Sequence, residues 1–187
     1  MDKKVLSRKE AVQILVQYQL NKLSKQERMW ILENWWETDE DDPEFFQLPS
    51  DLQTEIKEYD SPAEPLLIKY DRLLLIALTD SLSGVKNTYL KNQLAQFGIK
   101  VDEIKGNPID LYECPCCSYK NLPVRGEYFI CSVCFWEDDG SNDPEHYSGP
   151  NHMTLKEAQD NFSQFGACTE DSLKSISPDA KEKYAKG

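Results

Sequence analysis

Through the first hundred positions, apolar residues recur at helical spacing. Each recurrence starts where a serine is followed three residues later by a carboxylate or amide. Ser7 with Glu10, Ser24 with Glu27, Ser50 with Gln53 and Ser61 with Glu64 all have this form, in which two side chains satisfy orphan backbone donors reciprocally and open a helix. After the first cap, Ala11, Ile14, Leu15 and Tyr18 follow the i, i+3, i+4, i+7 rule, and after the second, Met29, Leu32, Trp35 and Trp36 nearly do. Two antiparallel helices joined near Leu23 are predicted. Residues 39–43 break the pattern with four like charges and Pro43, which predicts an exposed loop. Residues 65–82 are apolar on most sides and predict a central helix, carrying Leu66, Leu67, Leu73, Leu74, Ile76, Ala77 and Leu78. A last helix over 87–97 turns Leu90, Leu94 and Phe97 inward and stops at Gly98.

The period changes at Ile99. Residues 99–104 alternate as a short strand does, and 106–108 read as a turn or linker. Residues 127–130 read as a strand. Thr154 with Glu157 caps one more amphipathic helix, with Leu155, Ala158 and Phe162 on its apolar face and its end near Gly166. From Thr169 onward the chain is polar and reads as loosely held. The expected organisation is a helical domain over 1–105, a second module over 106–168 and a polar tail over 169–187. No internal repeat suggests a solenoid.

The chemistry concentrates in that second module. Cys114-Pro115-Cys116-Cys117 and Cys131-Ser132-Val133-Cys134 are two Cys-x-x-Cys pairs separated by thirteen residues, a spacing that can bring four thiolates to the corners of one tetrahedron. Pro115 favours the turn of the first pair, and small Ser118 suits the bend that follows it. A structural zinc ion fits this set, and so does iron in a rubredoxin-type site, because both accept tetrahedral thiolates. A redox dithiol using Cys116 and Cys117, or Cys114 and Cys117, leaves the second pair unexplained. Cys168 reads as a small buried hydrophobe. His146 and His152, the two histidines, could serve as a ligand or a general base, although four cysteines already complete a site. Residues 137–143 superficially resemble a calcium loop but lack its glycine position and its distal glutamate, so a solvated acidic loop is expected. Trp30, Trp35 and Trp36 could mark a recognition surface, yet aromatics at helical spacing more often form core.

Charge narrows the functional classes. The chain has 187 residues, a net charge of −12 and a pI near 4.6, so its field repels nucleic acid and anionic membrane and attracts a basic partner. Between Leu111 and Met153 only Lys120 and Arg125 oppose seven carboxylates, which is the wrong sign for phosphate recognition. No apolar run reaches the length of a membrane span, since Lys69, Asp71 and Arg72 interrupt the longest. Residues 1–7 lack the apolar core of an export signal. With six cysteines in metal-type usage, the expectation is a cytoplasmic protein that touches neither membrane nor nucleic acid. No Gly-x-Ser-x-Gly elbow, phosphate loop or dinucleotide fingerprint occurs, which argues against an enzyme.

Residues 114–119, then Ile130-Cys131-Ser132-Val133-Cys134-Phe135-Trp136-Glu137-Asp138-Asp139-Gly140, then 148–151 and 155–162, closely resemble the cysteine-rich CPCC family of small bacterial proteins, over about 112–168. The Trp-Glu-Asp-Asp-Gly run is what separates this pattern from generic zinc ribbons. Ser118 departs from the glycine that many knuckles have. The resemblance implies a zinc-binding, ribbon-like module with Cys114, Cys117, Cys131 and Cys134 as ligands, and it does not extend to the first hundred residues. The fold expected overall is mainly α: an N-terminal helical bundle followed by a small zinc-ribbon-like α+β module.

The function expected is that of a non-catalytic, zinc-binding interaction protein. An acidic immunity or inhibitor protein that neutralises a basic toxin matches the charge best. The alternative is a zinc-dependent scaffold or regulatory module, ahead of a nucleic-acid-binding ribbon or a thiol enzyme. Trp35, Trp36, Asp39, Glu40, Asp41, Asp42, Glu137, Asp138, Asp139 and Asp143 are the expected partner contacts.

Overall fold

A computed structural model describes residues 3–187. Met1 and Asp2, part of the amino-terminal stretch read above for an export signal, lie outside the described residues. The described chain is mainly helical, with seven α-helices and three two-stranded sheets. None of its helices is long and apolar enough to cross a membrane. Contacts divide it into two compact units, one comprising the residues up to Ser83 with Leu90–Gly106, the other Gly84–Tyr89 with Asn107–Gly187.

In the first unit, β1 (Val5–Ser7) leads directly into α1 (Arg8–Leu20), and Ser7 and Glu10 close a full capping box. α2 (Lys25–Trp35) starts in the same way on Ser24 and Glu27. The other two caps expected at sequence level do not form. At α3 (Ser50–Glu58) Pro49 occupies the capping position, and Gln53 turns back to the Leu48 carbonyl at 2.8 Å. At Ser61 no helix begins, because Glu64 instead pairs with Lys25 at 2.8 Å.

The predicted central helix over 65–82 is shorter than expected. α4 (Asp71–Asp80) buries Leu73, Leu74, Ile76 and Ala77 and packs against both α1 and α2. Leu66, Leu67 and Ile68 precede it and are exposed. Arg28, itself buried, donates from Nε to the Pro65 carbonyl at 2.7 Å and from Nη2 to Asp71 at 2.6 Å. This ties the first turn of α2 to the start of α4 and prevents the helix from extending backwards. Leu20, Leu32, Trp36, Phe45, Leu52 and Tyr70 complete the core around α4. On α1 the buried stripe is Ala11, Val12, Leu15, Val16 and Leu20, rotated from the expected one, and Tyr18 stacks on Phe97 at 5.0 Å between ring centres.

α5 (Asn87–Gln96) ends at Gly98, whose φ of 78° is left-handed. Of the strand expected over 99–104 only Glu103 and Ile104 are in a strand, β2 (Glu103–Lys105), which pairs in parallel with β1 in the register Leu6 to Ile104, and 99–102 are irregular.

The second unit is built from short hairpins. β3 (Tyr112–Glu113) and β4 (Lys120–Leu122) pair antiparallel, as do β5 (Tyr147–Ser148) and β6 (Met153–Thr154). α6 (Leu155–Phe165) carries the predicted capping box of Thr154 and Glu157 and stops at Gly166, φ 95°. Residues 127–130 do not make a regular strand, because Tyr128 adopts a φ of 61° and only Ile130 bridges, to Glu137.

The segment from Thr169, expected to be loosely held, is folded. It forms a 3₁₀ turn and α7 (Ala180–Lys183), buries Ala180, and packs Ile176 and Tyr184 on the core. Its last residues pair beside β4, with Lys120 N donating to Ala185 O at 2.9 Å and Gly187 N to Ser118 O at 2.7 Å. Lys86 N reaches Lys183 O at 2.8 Å, and the Tyr89 hydroxyl donates to Asp179. Burial first, and then the Asp179 bond, push the Tyr89 phenol up. Burial alone would raise the Asp179 carboxyl, but bonds from Ser177, Tyr89 and Lys183 hold it below its ordinary value.

Tyr89→Phe is therefore expected to lower the stability of this unit at neutral pH by about 1.5–3 kcal/mol, the range for a hydrogen bond to a charged group, measured as a reduced urea midpoint. A folded-state phenol pKa raised above the unfolded one means the wild-type contribution is whole below about pH 10 and fades as pH climbs past it.

Candidate metal centre

The two Cys-x-x-Cys pairs fold into knuckles of the same construction. In each, the amide of the residue after the second cysteine donates to the carbonyl of the first, Ser118 to Cys114 at 2.9 Å and Phe135 to Cys131 at 2.8 Å. In each, the first cysteine's own amide donates five residues on, Cys114 to Tyr119 at 3.0 Å and Cys131 to Trp136 at 2.8 Å. That closure requires a left-handed residue after the second cysteine, and Ser118 and Phe135 supply it with φ of 62° and 69°. Glycine takes this conformation most easily, so its replacement by a serine and a phenylalanine shows that surrounding bonds impose the turn.

The knuckles face one another across the core. The Sγ atoms of Cys114, Cys117, Cys131 and Cys134 all lie within 4.8 Å of one another, with 3.7 Å from Cys114 to Cys134 and 3.5 Å from Cys117 to Cys131. A tetrahedral ion with bonds of about 2.3 Å sets its sulfurs about 3.8 Å apart, so the arrangement can bind such a metal ion. All four cysteines are at most 3% exposed. Among the described residues this is the one group of histidine, cysteine or acidic side chains placed to hold an ion.

The sulfurs influence one another strongly. The Cys131 thiol is pushed down: burial opposes its ionisation, but donors on Cys114, Cys117, Cys134 and Asn121 outweigh it. The Cys134 thiol is pushed up by burial and by its bonding to Cys114 and Cys116. Four buried thiols this close would need a cation before all of them could carry negative charge together.

Asn121, which the sequence reading missed, supports that charge. It lies in β4 between the knuckles and donates from Nδ2 to Cys131 Sγ at 3.2 Å, while its Oδ1 is buried without a hydrogen-bond partner. No sequence signal marks it, because an asparagine in a strand has no fixed spacing to a knuckle.

Cys116 is buried beside the site, and Cys168 is buried with its amide donating to Cys134 O at 2.7 Å. The histidines lie elsewhere, His146 against Asp139 at 3.2 Å and His152 exposed in the turn before β6.

The expected partner contacts fall into two groups. Asp39, Glu40, Asp41, Asp42 and Asp143 are exposed, and Trp35, Glu137 and Asp139 are half-buried. Trp36 and Asp138, at 5% and 0% exposure, are not contact surface. Trp36 donates its indole N–H to Tyr59 O at 2.7 Å and joins the first core. Asp138 accepts from Arg125 Nε and Gly126 N, both at 2.8 Å, which makes it a brace within the loop expected to be solvated. Asp139 also works within that loop. Burial would raise its carboxyl, but bonds from Ser148, the Ser141 amide and His146 hold it below its ordinary value.

The profile of the Cysteine-rich CPCC family matches residues 112–183. The matched segment contains both knuckles, Asn121, the Trp136 to Gly140 run, α6 and most of the folded tail. No curated protein and no solved structure is significantly similar to the chain.

Asn121→Ala is expected to lower affinity for a thiolate-bound divalent ion by about 10–100-fold, as loss of an outer-shell partner does. Competition against a chromophoric chelator measures it, and an affinity equal to wild type would remove Asn121 from any role at the centre.

Proposed function

We propose that the four cysteines hold a zinc ion in a closed structural site, that the surrounding hairpins form a zinc-ribbon-like module, and that the chain acts by binding a basic protein, as an immunity or inhibitor protein binds a toxin, and not by catalysis. The observation that carries the structural-ion reading is the burial of all four sulfurs around one centre. A catalytic zinc keeps a position for water or substrate, whereas four protein thiolates fill the coordination sphere. When bound, the ion supplies charge neutralisation and cross-links the two knuckles.

Charge supports the choice of partner. The net charge of −12 favours fast, oriented encounter with a cationic protein. The exposed acidic loop over 39–42 is ordered before any encounter: Asp39 accepts from the Asp41 amide at 2.8 Å and Asp42 from the Asp39 amide at 3.1 Å. A pre-ordered loop loses less entropy on docking. In the proposed mechanism this loop and Asp143 enter a cationic site on the partner and block it. Six unpaired cysteines, four of them set for a metal, suit a reducing cytoplasm.

Purified protein is expected to contain about one zinc per chain and to be colourless, and a red iron-thiolate spectrum would replace zinc with iron. Removing the ion with a strong chelator should unfold the second unit, reported by a red shift in the emission of buried Trp136. Affinity capture from the native cells should recover a basic protein whose association slows as salt rises and slows further in Asp41→Lys. Recovery of no basic protein, or binding indifferent to salt, would refute the inhibitor reading.

A further inference from the structure

The hairpin over residues 128–138 turns outward what a folded chain normally hides. Tyr128, Phe129 and Ile130 are three consecutive apolar residues at 59%, 46% and 52% exposure, and Phe135 joins them from beyond the second knuckle at 36%. Exposed runs of this length are uncommon unless they serve binding. Tyr128 and Phe135 also hold φ of 61° and 69°, a region that is costly for bulky side chains and that persists only where the surroundings enforce it.

The surroundings do enforce it, from both ends. At the tip, Cys131 and Cys134 belong to the sulfur cluster. At the base, buried Asp138 receives Arg125 and the Gly126 amide, Tyr128 N donates to Asp138 O at 2.9 Å, and Asp138 N donates to Phe129 O at 3.0 Å. Gly126 and Gly140 cross so closely that a Cβ on Gly140 would sit 3.1 Å from the Gly126 Cα. The four outward side chains are thus carried on a rigid frame, and little order remains to be gained on docking.

Charge says what covers them. Arg125 is committed to Asp138 and Asn142, and Lys120 faces Asp110 at 3.7 Å, so the charges that flank the apolar residues along the chain are those of exposed Glu127 and half-buried Glu137. A second copy of the chain would bring those glutamates against their own equivalents, which is unfavourable. We infer that the exposed apolar side chains of the 128–138 hairpin, Tyr128, Phe129, Ile130 and Phe135, flanked along the chain by Glu127 and Glu137, form a docking surface for a protein segment that presents an apolar or aromatic side chain flanked by lysine or arginine. The inference rests on the basic-partner reading and moves the apolar anchor of that contact to the metal module.

The test pans a phage-displayed dodecapeptide library against the full metal-loaded chain. The selected peptides are then titrated against wild type, against Phe129→Ser/Ile130→Ser, against Asp41→Lys, and against Trp30→Ser as an exposed apolar control in the other unit. Metal content and circular dichroism confirm that each variant is folded. Enriched peptides are expected to combine Lys or Arg with Trp, Phe or Leu. They should lose at least tenfold in affinity for the double variant and for chelator-stripped protein, and bind Trp30→Ser as they bind wild type. Peptides without cationic residues, equal binding to the double variant, or enrichment of none overturns the inference. So does sedimentation showing a wild-type dimer that Ile130→Ser dissociates, since a second copy then covers the face. Cationic peptides that keep their affinity for the double variant but lose it in Asp41→Lys would sink the hairpin and leave the basic-partner reading standing.

Discussion

Four sulfur atoms enclosed together cannot all carry charge unless a cation joins them, and the second unit is organised around that constraint. Six of the twelve buried residues in its core cluster are cysteines, small side chains that bury little apolar area apiece. Trp136, Leu122, Val133 and Leu155 supply most of the hydrophobic remainder. A core of that composition is marginal alone, and an ion held by thiolates contributes on the order of 10 kcal/mol to folding in small modules. Both knuckles, the apolar face of α6 and the returning C-terminal residues converge on the same cluster. The left-handed turns at Ser118 and Phe135 are held by the backbone bonds that close each knuckle, Ser118 N to Cys114 O with Cys114 N to Tyr119 O, and Phe135 N to Cys131 O with Cys131 N to Trp136 O.

Local interactions were legible in the sequence where both partners lie within one turn. The boxes at Ser7, Ser24 and Thr154 each form as the spacing predicts, since Glu10, Glu27 and Glu157 have no competing partner. Ser61 and Glu64 have the same spacing but fail, because Lys25, distant in sequence, takes the carboxylate. The over-long central helix has a similar cause: the apolar content of 65–70 is helical in pattern, but the Pro65 carbonyl is held by a buried arginine from α2. β1 escaped notice because three residues carry no period, and its partner lies almost a hundred positions away. The tail escaped notice for a different reason. Its attachment combines a few side chains, Ile176, Ala180, Tyr184 and Asp179, with backbone hydrogen bonds to β4 and Lys86, and backbone hydrogen bonds leave no trace in composition.

The centre itself divides in the same way. Paired cysteines at fixed spacing are a covalent statement about geometry, so the four sulfurs could be read directly. Asn121 could not, because its contact depends on how β4 lies against the second knuckle. The acidic residues show where counting charges misleads. Asp138 and Asp41 weigh equally in a net charge, yet one is the buried brace of a hairpin and the other stands in solvent. Only tertiary structure separates carboxylates that hold the fold from those that stand in solvent.

An ion at that centre would also account for the distribution of aromatic residues in the second unit. A module of this size would ordinarily turn Tyr128, Phe129, Ile130 and Phe135 inward to gain core, since each buried side chain of this kind is worth about 1.5–3 kcal/mol. With an ion clamping the two knuckles through their sulfurs, that apolar mass would not be needed there for stability. Stability drawn from sulfur and charge would leave apolar surface free for the docking proposed above, and acidic neighbours would restrict which surfaces can approach. On this argument, exchanging hydrophobic core for a metal centre would make the module both small and adhesive, with negative charge keeping that adhesion from being indiscriminate.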